Sequence, residues 1–293
     1  MSDQTEQAAS NNPLKAGVIG FPIAHSRSPL IHRYWLRLKG IDGTYDPYGV
    51  EPENLASFIG DLAAKGFAGI NVTLPHKEHV LPLMDEVEPF AERVGAVNTI
   101  VVTDDGRLIG RNTDGFGFIE NLRAGAPDWR ADQGPAAVIG AGGAARAIIA
   151  ALQDAGVPEI RLTNRSLDKA VALAEELGGP DLPDIIVRPM EDRAALCTDA
   201  GLLVNTTSLG MEGKDPLEID LASLPDHAVV TDIVYTPLKT ALLAQAEQQG
   251  NTIVDGLGML LHQARPGFEA WFGSSVSVTP MLRAMIENDI VST

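Results

Sequence analysis

Apolar positions along the chain recur in two rhythms. Residues 16–20 (AGVIG) make a short continuous run of strand length, and Pro29 to Leu38 repeats its apolar positions at helical spacing until Gly40 stops it. A second helical stretch runs from Pro52 to Lys65, and a second strand follows over 67–74. Strand and helix in alternation predict parallel βαβ units. Segment 98–112, NTIVVTDDGRLIGRN, departs from this rhythm: two alternating strands flank Asp104-Asp105-Gly106, which predicts a hairpin. From Pro135 the alternation restarts more regularly, with strands predicted near 136–140, 159–163, 184–188, 202–206, 228–233 and 252–254. Helices such as LDKAVALAEELG and TALLAQAEQQG lie between most of them, as in a Rossmann-like sheet. The end, GLGMLLHQARPGFEAWFG and then TPMLRAMIEND, is helical without a further strand and could pack on either unit.

Length and composition narrow this picture. At 293 residues the chain is long enough for two domains, at about 100 to 200 residues each. The 45% apolar and 21% charged content is ordinary for a globular protein. The opening MSDQTEQAASNN has no basic segment followed by an apolar one, so it reads as a polar tail and not a signal peptide, and the apolar runs are too short to span a bilayer. The single cysteine, Cys197, cannot form an internal disulfide; it lies in an Ala-rich helical stretch and reads as inert core, which together with the missing signal points to the cytoplasm. Net charge is −17, from 39 acidic and 22 basic residues, which argues against nucleic acid or an anionic membrane as partner. Small anionic ligands stay open, since a site needs only a few local cations and backbone N–H groups.

Such groups occur in PAAVIGAGGAARAIIAALQDAG. Gly140-Ala-Gly142-Gly-Ala-Ala145 fits G-x-G-x-x-G/A directly after a predicted strand and before an amphipathic helix, the arrangement that lets backbone N–H groups approach a pyrophosphate. A tight turn without ligand is the alternative. The next strand ends in RLTNRSLDK, with no acid to take ribose hydroxyls but with Asn164, Arg165, Ser166 and Lys169. An arginine fork with amide and hydroxyl donors suits a 2′-phosphate, hence NADP, against the alternative of a solvated helix start.

The first half carries further anomalies. GINVTLPHK reads as a strand that breaks at Pro75 and sets Lys77 in the first turn of a helix, where cations are disfavoured, so Lys77 is either functional or a solvated surface residue. Ser28 before Pro29 predicts an N-cap with proline at the first helical position, a device repeated at Thr236-Pro237 and Thr279-Pro280, whereas Ser26 has no such structural role. His25 reads as a loop hydrogen-bonder, and the His76/His79 pair lacks the further ligands of a metal site.

Taken in order, GFPIAHSRSP, NVTLPHKE, GAVNT, NTDGFGF, GAGGAARA, TNRS, NTTSLGM and DGLGMLLHQA resemble the shikimate 5-dehydrogenases, NADP-dependent enzymes of aromatic amino acid biosynthesis. The resemblance runs from about Ala16 to the last helix. It implies an α/β protein of two domains: a shikimate-binding domain over 1–113 plus 257–293, with 1–13 as polar tail, and a Rossmann-like NADP-binding domain over 114–256. The family's catalytic lysine falls on Lys77 and its partner aspartate on Asp114. Ser26 and Ser28 would hold the substrate carboxylate, Thr73, Asn98, Asp114 and Gln263 the ring hydroxyls, and Tyr235 would be a further ligand. The cofactor set carries over to Gly140, Ala141, Gly142, Gly143, Ala144, Asn164, Arg165, Ser166, Lys169 and Thr206, with Gly256 near the nicotinamide. Ser166 stands where threonine is commoner and Lys169 where arginine can occur, and both keep donor chemistry. No metal is implied.

The implied reaction moves a hydride between NADPH and the ring carbonyl of 3-dehydroshikimate, giving shikimate. A quinate/shikimate dehydrogenase of dual specificity is the nearest rival. An unrelated two-domain NADP enzyme, such as a methylenetetrahydrofolate dehydrogenase, would have no use for the SRS, NTDG and HQA clusters, and a dinucleotide-sensing module would lose the Lys77/Asp114 pair. A homodimer is compatible with all of these.

Overall fold

A computed structural model describes residues 13–292; apart from Pro13, the expected polar tail lies outside the described residues. The first half contains β1 (Leu14–Gly20), α1 (Ser28–Lys39), β2 (Gly43–Gly49), α2 (Leu55–Gly60), β3 (Gly69–Val72), β4 (Glu86–Val87), α3 (Pro89–Val94), β5 (Thr99–Val102), β6 (Leu108–Arg111) and α4 (Asp114–Gly125). Its strands form a sheet of order β2-β1-β3-β5-β6-β4. β1 runs parallel to both β2 and β3, as alternation predicts, while β5 turns antiparallel to β3 and pairs with β6 as the expected hairpin, Val102 facing Leu108. The sheet is therefore mixed.

The second half contains β7 (Ala136–Ile139), α5 (Gly143–Ala155), β8 (Glu159–Thr163), α6 (Leu167–Leu177), β9 (Asp184–Arg188), β10 (Leu202–Asn205), β11 (Val229–Asp232), α7 (Ala241–Gln248) and β12 (Thr252–Val254). All six strands are parallel in the order β12-β11-β10-β7-β8-β9. This is a doubly wound sheet whose direction reverses between β7 and β10, the point outside which such sheets bind ligands. α8 (Leu257–Phe272) and α9 (Pro280–Ser292) then return to the first sheet. Leu261, Phe268 and Trp271 of α8 are buried with Val18, Ile31 and Trp35, and the Trp271 indole donates to the Ile100 carbonyl at 2.9 Å. α4 lies closely against α8: a Cβ on Gly117 would collide with Gln263, which explains the second glycine of NTDGFGF.

Several local expectations are corrected. β2 and β4 were not expected; Pro47 argues against a strand in GTYDPYG, yet β2 is the sheet edge, where a missing N–H is tolerated. The helix expected over 52–65 shrinks to a 3₁₀ turn at Pro52–Asn54 and the short α2, and the strand expected over 67–74 to β3 with an isolated bridge at Phe67. Lys77 is not in a helix. Residues 77–80 are turns, because the Lys77 carbonyl accepts the Val97 N–H at 2.8 Å and is not available to the helix ladder. Ser28 is not an N-cap: α1 starts with it, Arg27 holds the cap position, and no side chain caps the helix. Thr236-Pro237 starts no helix either, since α7 begins later and is capped by Thr240, which accepts the Leu243 N–H. Thr279 does cap α9, accepting the Leu282 N–H at 3.2 Å with Pro280 next to it. Cys197 ends a 3₁₀ stretch and is fully buried, which pushes its thiol up to about 11.

Candidate active site

The ends of parallel strands converge on one cavity of about 510 Å³, a size suited to a small organic ligand. From the first sheet, the loop after β1 brings Ser26 and Ser28, and the segment after β3 brings Thr73 and Lys77. β5 is antiparallel, so the residue before it, Asn98, reaches the same edge, as does Asp114 just beyond β6. The second sheet adds Tyr235 after β11 and Gly256 after β12, and α8 contributes Gln263. Every residue expected at the substrate thus lines a single wall system. Ile23, Ile233 and Met259 supply apolar surface between these polar groups.

Lys77 Nζ lies 2.5 Å from Asp114 Oδ2, with side chains 25% and 11% exposed. The other oxygen, Oδ1, accepts from Asn98 Nδ2 at 2.8 Å. Asn98 is itself held: its Oδ1 accepts the Thr113 N–H at 2.8 Å and the Thr99 hydroxyl at 2.9 Å. The Thr113 hydroxyl donates to the Gln263 carbonyl at 2.8 Å, tying this cluster to α8. Asn71, inside buried β3, donates to the Asn98 carbonyl and to Thr99, and accepts from the Tyr45 phenol at 2.6 Å. Tyr45 also meets the Ser28 hydroxyl and stacks on His32, ring centroids 3.9 Å apart. Burial lowers His32 to about 3 and raises Tyr45 well above its ordinary value, so both are neutral supports behind the wall.

Asn71, Thr99, Thr113 and Tyr45 escaped the sequence reading. One signal could have found Asn71: it is the polar residue of a four-residue strand that is otherwise apolar and wholly buried. The histidines have other tasks. His76 is buried with Nε2 2.7 Å from the Val50 carbonyl, His79 Nδ1 meets the Pro75 carbonyl, and His25 stands exposed at the cavity.

Of the cofactor candidates, Gly256 lines that cavity; the others lie apart from it, at the carboxyl ends of β7, β8 and β10. Gly140 has φ +115°, and a Cβ there would strike the side chains of Thr206 and Thr207, so only glycine fits the turn. Thr206 donates to the Ile139 carbonyl at 2.8 Å, joining the β7 and β10 ends across the switch point. Ala141 leads into Gly142, the N-cap of α5, followed by Gly143 and Ala144; the space where Cβ atoms of the two glycines would stand is open. A pyrophosphate could approach the free N–H groups there. Beyond β8, Asn164 Nδ2 donates to the Ser166 carbonyl at 2.9 Å, and Arg165 and Lys169 are exposed without an ion pair among the described residues. Unpaired cations at this strand end suit a phosphate.

The chain is similar to known proteins over most of its length. Residues 18–100 match a family model described as the shikimate dehydrogenase substrate binding domain, residues 128–209 one described as shikimate / quinate 5-dehydrogenase, and residues 256–286 one described as the shikimate 5'-dehydrogenase C-terminal domain. The chain is 59% identical over 271 residues to the shikimate dehydrogenase (NADP(+)) of Paramagnetospirillum magneticum, covering 92% of this chain and 97% of that one. Among solved structures, the shikimate 5-dehydrogenase of Thermus thermophilus in complex with NADP(H) and shikimate is 37% identical with a TM-score of 0.82, over 94% of this chain and 99% of that chain. The quinate dehydrogenase of Corynebacterium glutamicum in complex with NAD is 28% identical with a TM-score of 0.86, over 97% of this chain and 100% of that chain. Backbone shape alone therefore does not separate the two activities.

Proposed function

The chain belongs to the shikimate dehydrogenase family, and from this premise we propose that it interconverts 3-dehydroshikimate and shikimate with NADP, a step of aromatic amino acid biosynthesis. The observation that carries the proposal is the Lys77–Asp114 contact, held by Asn98 in the wall of a cavity where the serines of the SRS cluster also lie. We read residues 1–113 plus 257–293 as the substrate unit and 114–256 as the cofactor unit.

When bound, NADPH would supply the hydride to the ring carbonyl carbon, leaving negative charge on the carbonyl oxygen. The carbonyl oxygen then takes its proton from the Lys77 ammonium, and in the oxidative direction the neutral Lys77 amine accepts the hydroxyl proton. Asp114 orients Lys77 through Oδ2 while Asn98 fixes Oδ1, so the carboxylate is anchored from both sides. Ser26 and Ser28 hold the substrate carboxylate by hydroxyl donation, Thr73, Asn98, Asp114 and Gln263 meet ring hydroxyls, and Tyr235 closes the far side. Arg165, with Asn164, Ser166 and Lys169, binds the 2′-phosphate, while Gly140 to Ala144 and Thr206 shape the pyrophosphate turn and Gly256 leaves room for the nicotinamide.

Initial rates with shikimate and with quinate, each with NADP⁺ and NAD⁺, test this directly. Shikimate with NADP⁺ should give the highest kcat/KM. Equal or faster turnover of quinate would favour the dual-specificity enzyme, the second reading that the likeness to a quinate dehydrogenase supports. No turnover of either substrate with either cofactor would overturn both.

A further inference from the structure

Between the two serines of SRS stands Arg27, a residue to which neither motif nor chemistry has yet given a task. It occupies the cap position of α1, where its carbonyl accepts the Leu30 and Ile31 N–H groups, so its backbone is fixed. Its side chain lines the cavity and is only 13% exposed. Arg27 Nε donates to Asp289 Oδ2 at 3.0 Å, and Asp289, on α9, is 38% exposed. The Arg27 guanidinium also lies 5.9 Å from the centre of the Tyr235 ring. Tyr235 belongs to the loop after β11, so this contact crosses the cleft from the first sheet to the second. Among the described residues the Tyr235 hydroxyl has no hydrogen-bond partner, and its ring is held by packing and by Arg27.

We infer that Arg27 is a positioning residue: pinned to α9 by Asp289, its flat guanidinium sets the Tyr235 ring against the substrate. An ion pair with a partner this exposed contributes little to stability by itself. A guanidinium within 6 Å of an aromatic ring is different, because the cation is attracted to the ring quadrupole and restricts the ring's direction. With its Nε engaged by Asp289, Arg27 acts on the Tyr235 ring more than as a receptor for the substrate carboxylate. The last helix thereby becomes part of the substrate site without touching substrate. This rests on the role proposed above for Tyr235.

A steady-state double-mutant cycle tests it in the full chain. Arg27→Ala should raise KM for shikimate roughly three- to tenfold, the range of a partly shielded cation–π contact, with kcat and KM for NADP⁺ nearly unchanged. In a Tyr235→Leu background the same substitution should have almost no further effect on KM. Asp289→Asn, which leaves the arginine in place but loosens it, should show a smaller rise with the same dependence on Tyr235. Fully additive effects of Arg27→Ala and Tyr235→Leu, or a lowered melting temperature with wild-type KM in both the Arg27 and Asp289 variants, would overturn the inference. Loss of shikimate turnover by the unmodified protein would instead overturn the proposed function, so the two failures are distinguishable.

Discussion

The wall that holds Lys77 and the edge that holds Arg165 are both polar, and they are built in opposite ways. At the wall, Lys77 and Asn98 engage the two Asp114 oxygens and Thr113 holds Asn98, and the cluster is largely buried. At the edge, Arg165 and Lys169 stand exposed without an ion pair among the described residues. Under the proposed function a proton is delivered at one atom, so its carrier would be oriented before substrate arrives, at the cost of burying polar groups that all need partners. A phosphate brings its own charge and several acceptor oxygens, so the protein can leave its cations solvated until it binds.

This contrast predicts different responses to substitution. The largest belongs to the wall: Lys77→Ala should lower kcat by about 10² or more, the range for a lost general acid/base, with KM for shikimate little changed. Asp114→Asn should also damage kcat, and the double variant should cost less than the product of the two. Multiplicative losses measured by steady-state kinetics would show that the pair does not act as a unit.

At the edge the loss should fall on one cofactor only. Arg165→Ala should weaken NADP⁺ by about 1.5 to 3 kcal/mol, the value of hydrogen bonds to charged groups, and leave NAD⁺ use almost as it was. Equal losses for both would remove the distinction between a phosphate-waiting edge and a general cofactor surface. Isothermal titration with each cofactor reads this directly.

Ser26→Ala and Ser28→Ala should each raise KM for shikimate, by about 1.5 kcal/mol if the hydroxyl donates to a carboxylate. Because no side chain caps α1, Ser28→Ala should not destabilise the protein through lost capping, and thermal melting alongside the KM measurement separates the two effects. If Ser28→Ala leaves KM at the wild-type value, the two-serine clamp is wrong.

An effect on stability, not on turnover, lies behind the wall. His32 is neutral in the folded protein down to about pH 3, whereas in the unfolded chain it takes a proton near 6.5. The unfolded state therefore binds more protons between these values, and the stability His32 permits above pH 6.5 is lost as pH falls, by about 1.4 kcal/mol per pH unit. His32→Phe, which can keep the stack on Tyr45, should flatten the urea-denaturation stability curve over that window. An unchanged slope would mean that His32 does not set the acid limit of the wall.

Much of this was legible from residues alone. The Rossmann-like half was read strand by strand because its strands are short apolar runs punctuated by glycine and polar turns, and its cofactor loop could be located from the glycine spacing together with the missing acid after β8. The first half was harder. Pro47 hid an edge strand, and apparent helical rhythm over 52–65 exceeded what the tertiary structure sustains. Lys77 looked unusual for the wrong reason: no helix starts there, and the lysine is instead in a turn whose carbonyl belongs to Val97.

By itself, then, the sequence determined the α/β class, the hairpin at Asp104-Asp105-Gly106, the glycine turn at Gly140 and the oddity of Lys77, while the other polar residues expected at the cavity came from the resemblance of its motifs to a known family. Those features follow from local rhythm, from backbone conformations only glycine adopts, and from side-chain chemistry, all of which are written along the chain. Tertiary structure alone decided that α8 and α9 return to the first sheet, that Asn71, Tyr45 and Thr113 stand behind Asn98, and that Arg27 meets both Asp289 and Tyr235. Arg27 and Asp289 are 262 positions apart. No local periodicity carries information over that distance, because what joins them is the packing of two helices on a sheet and the requirement that buried polar atoms find partners.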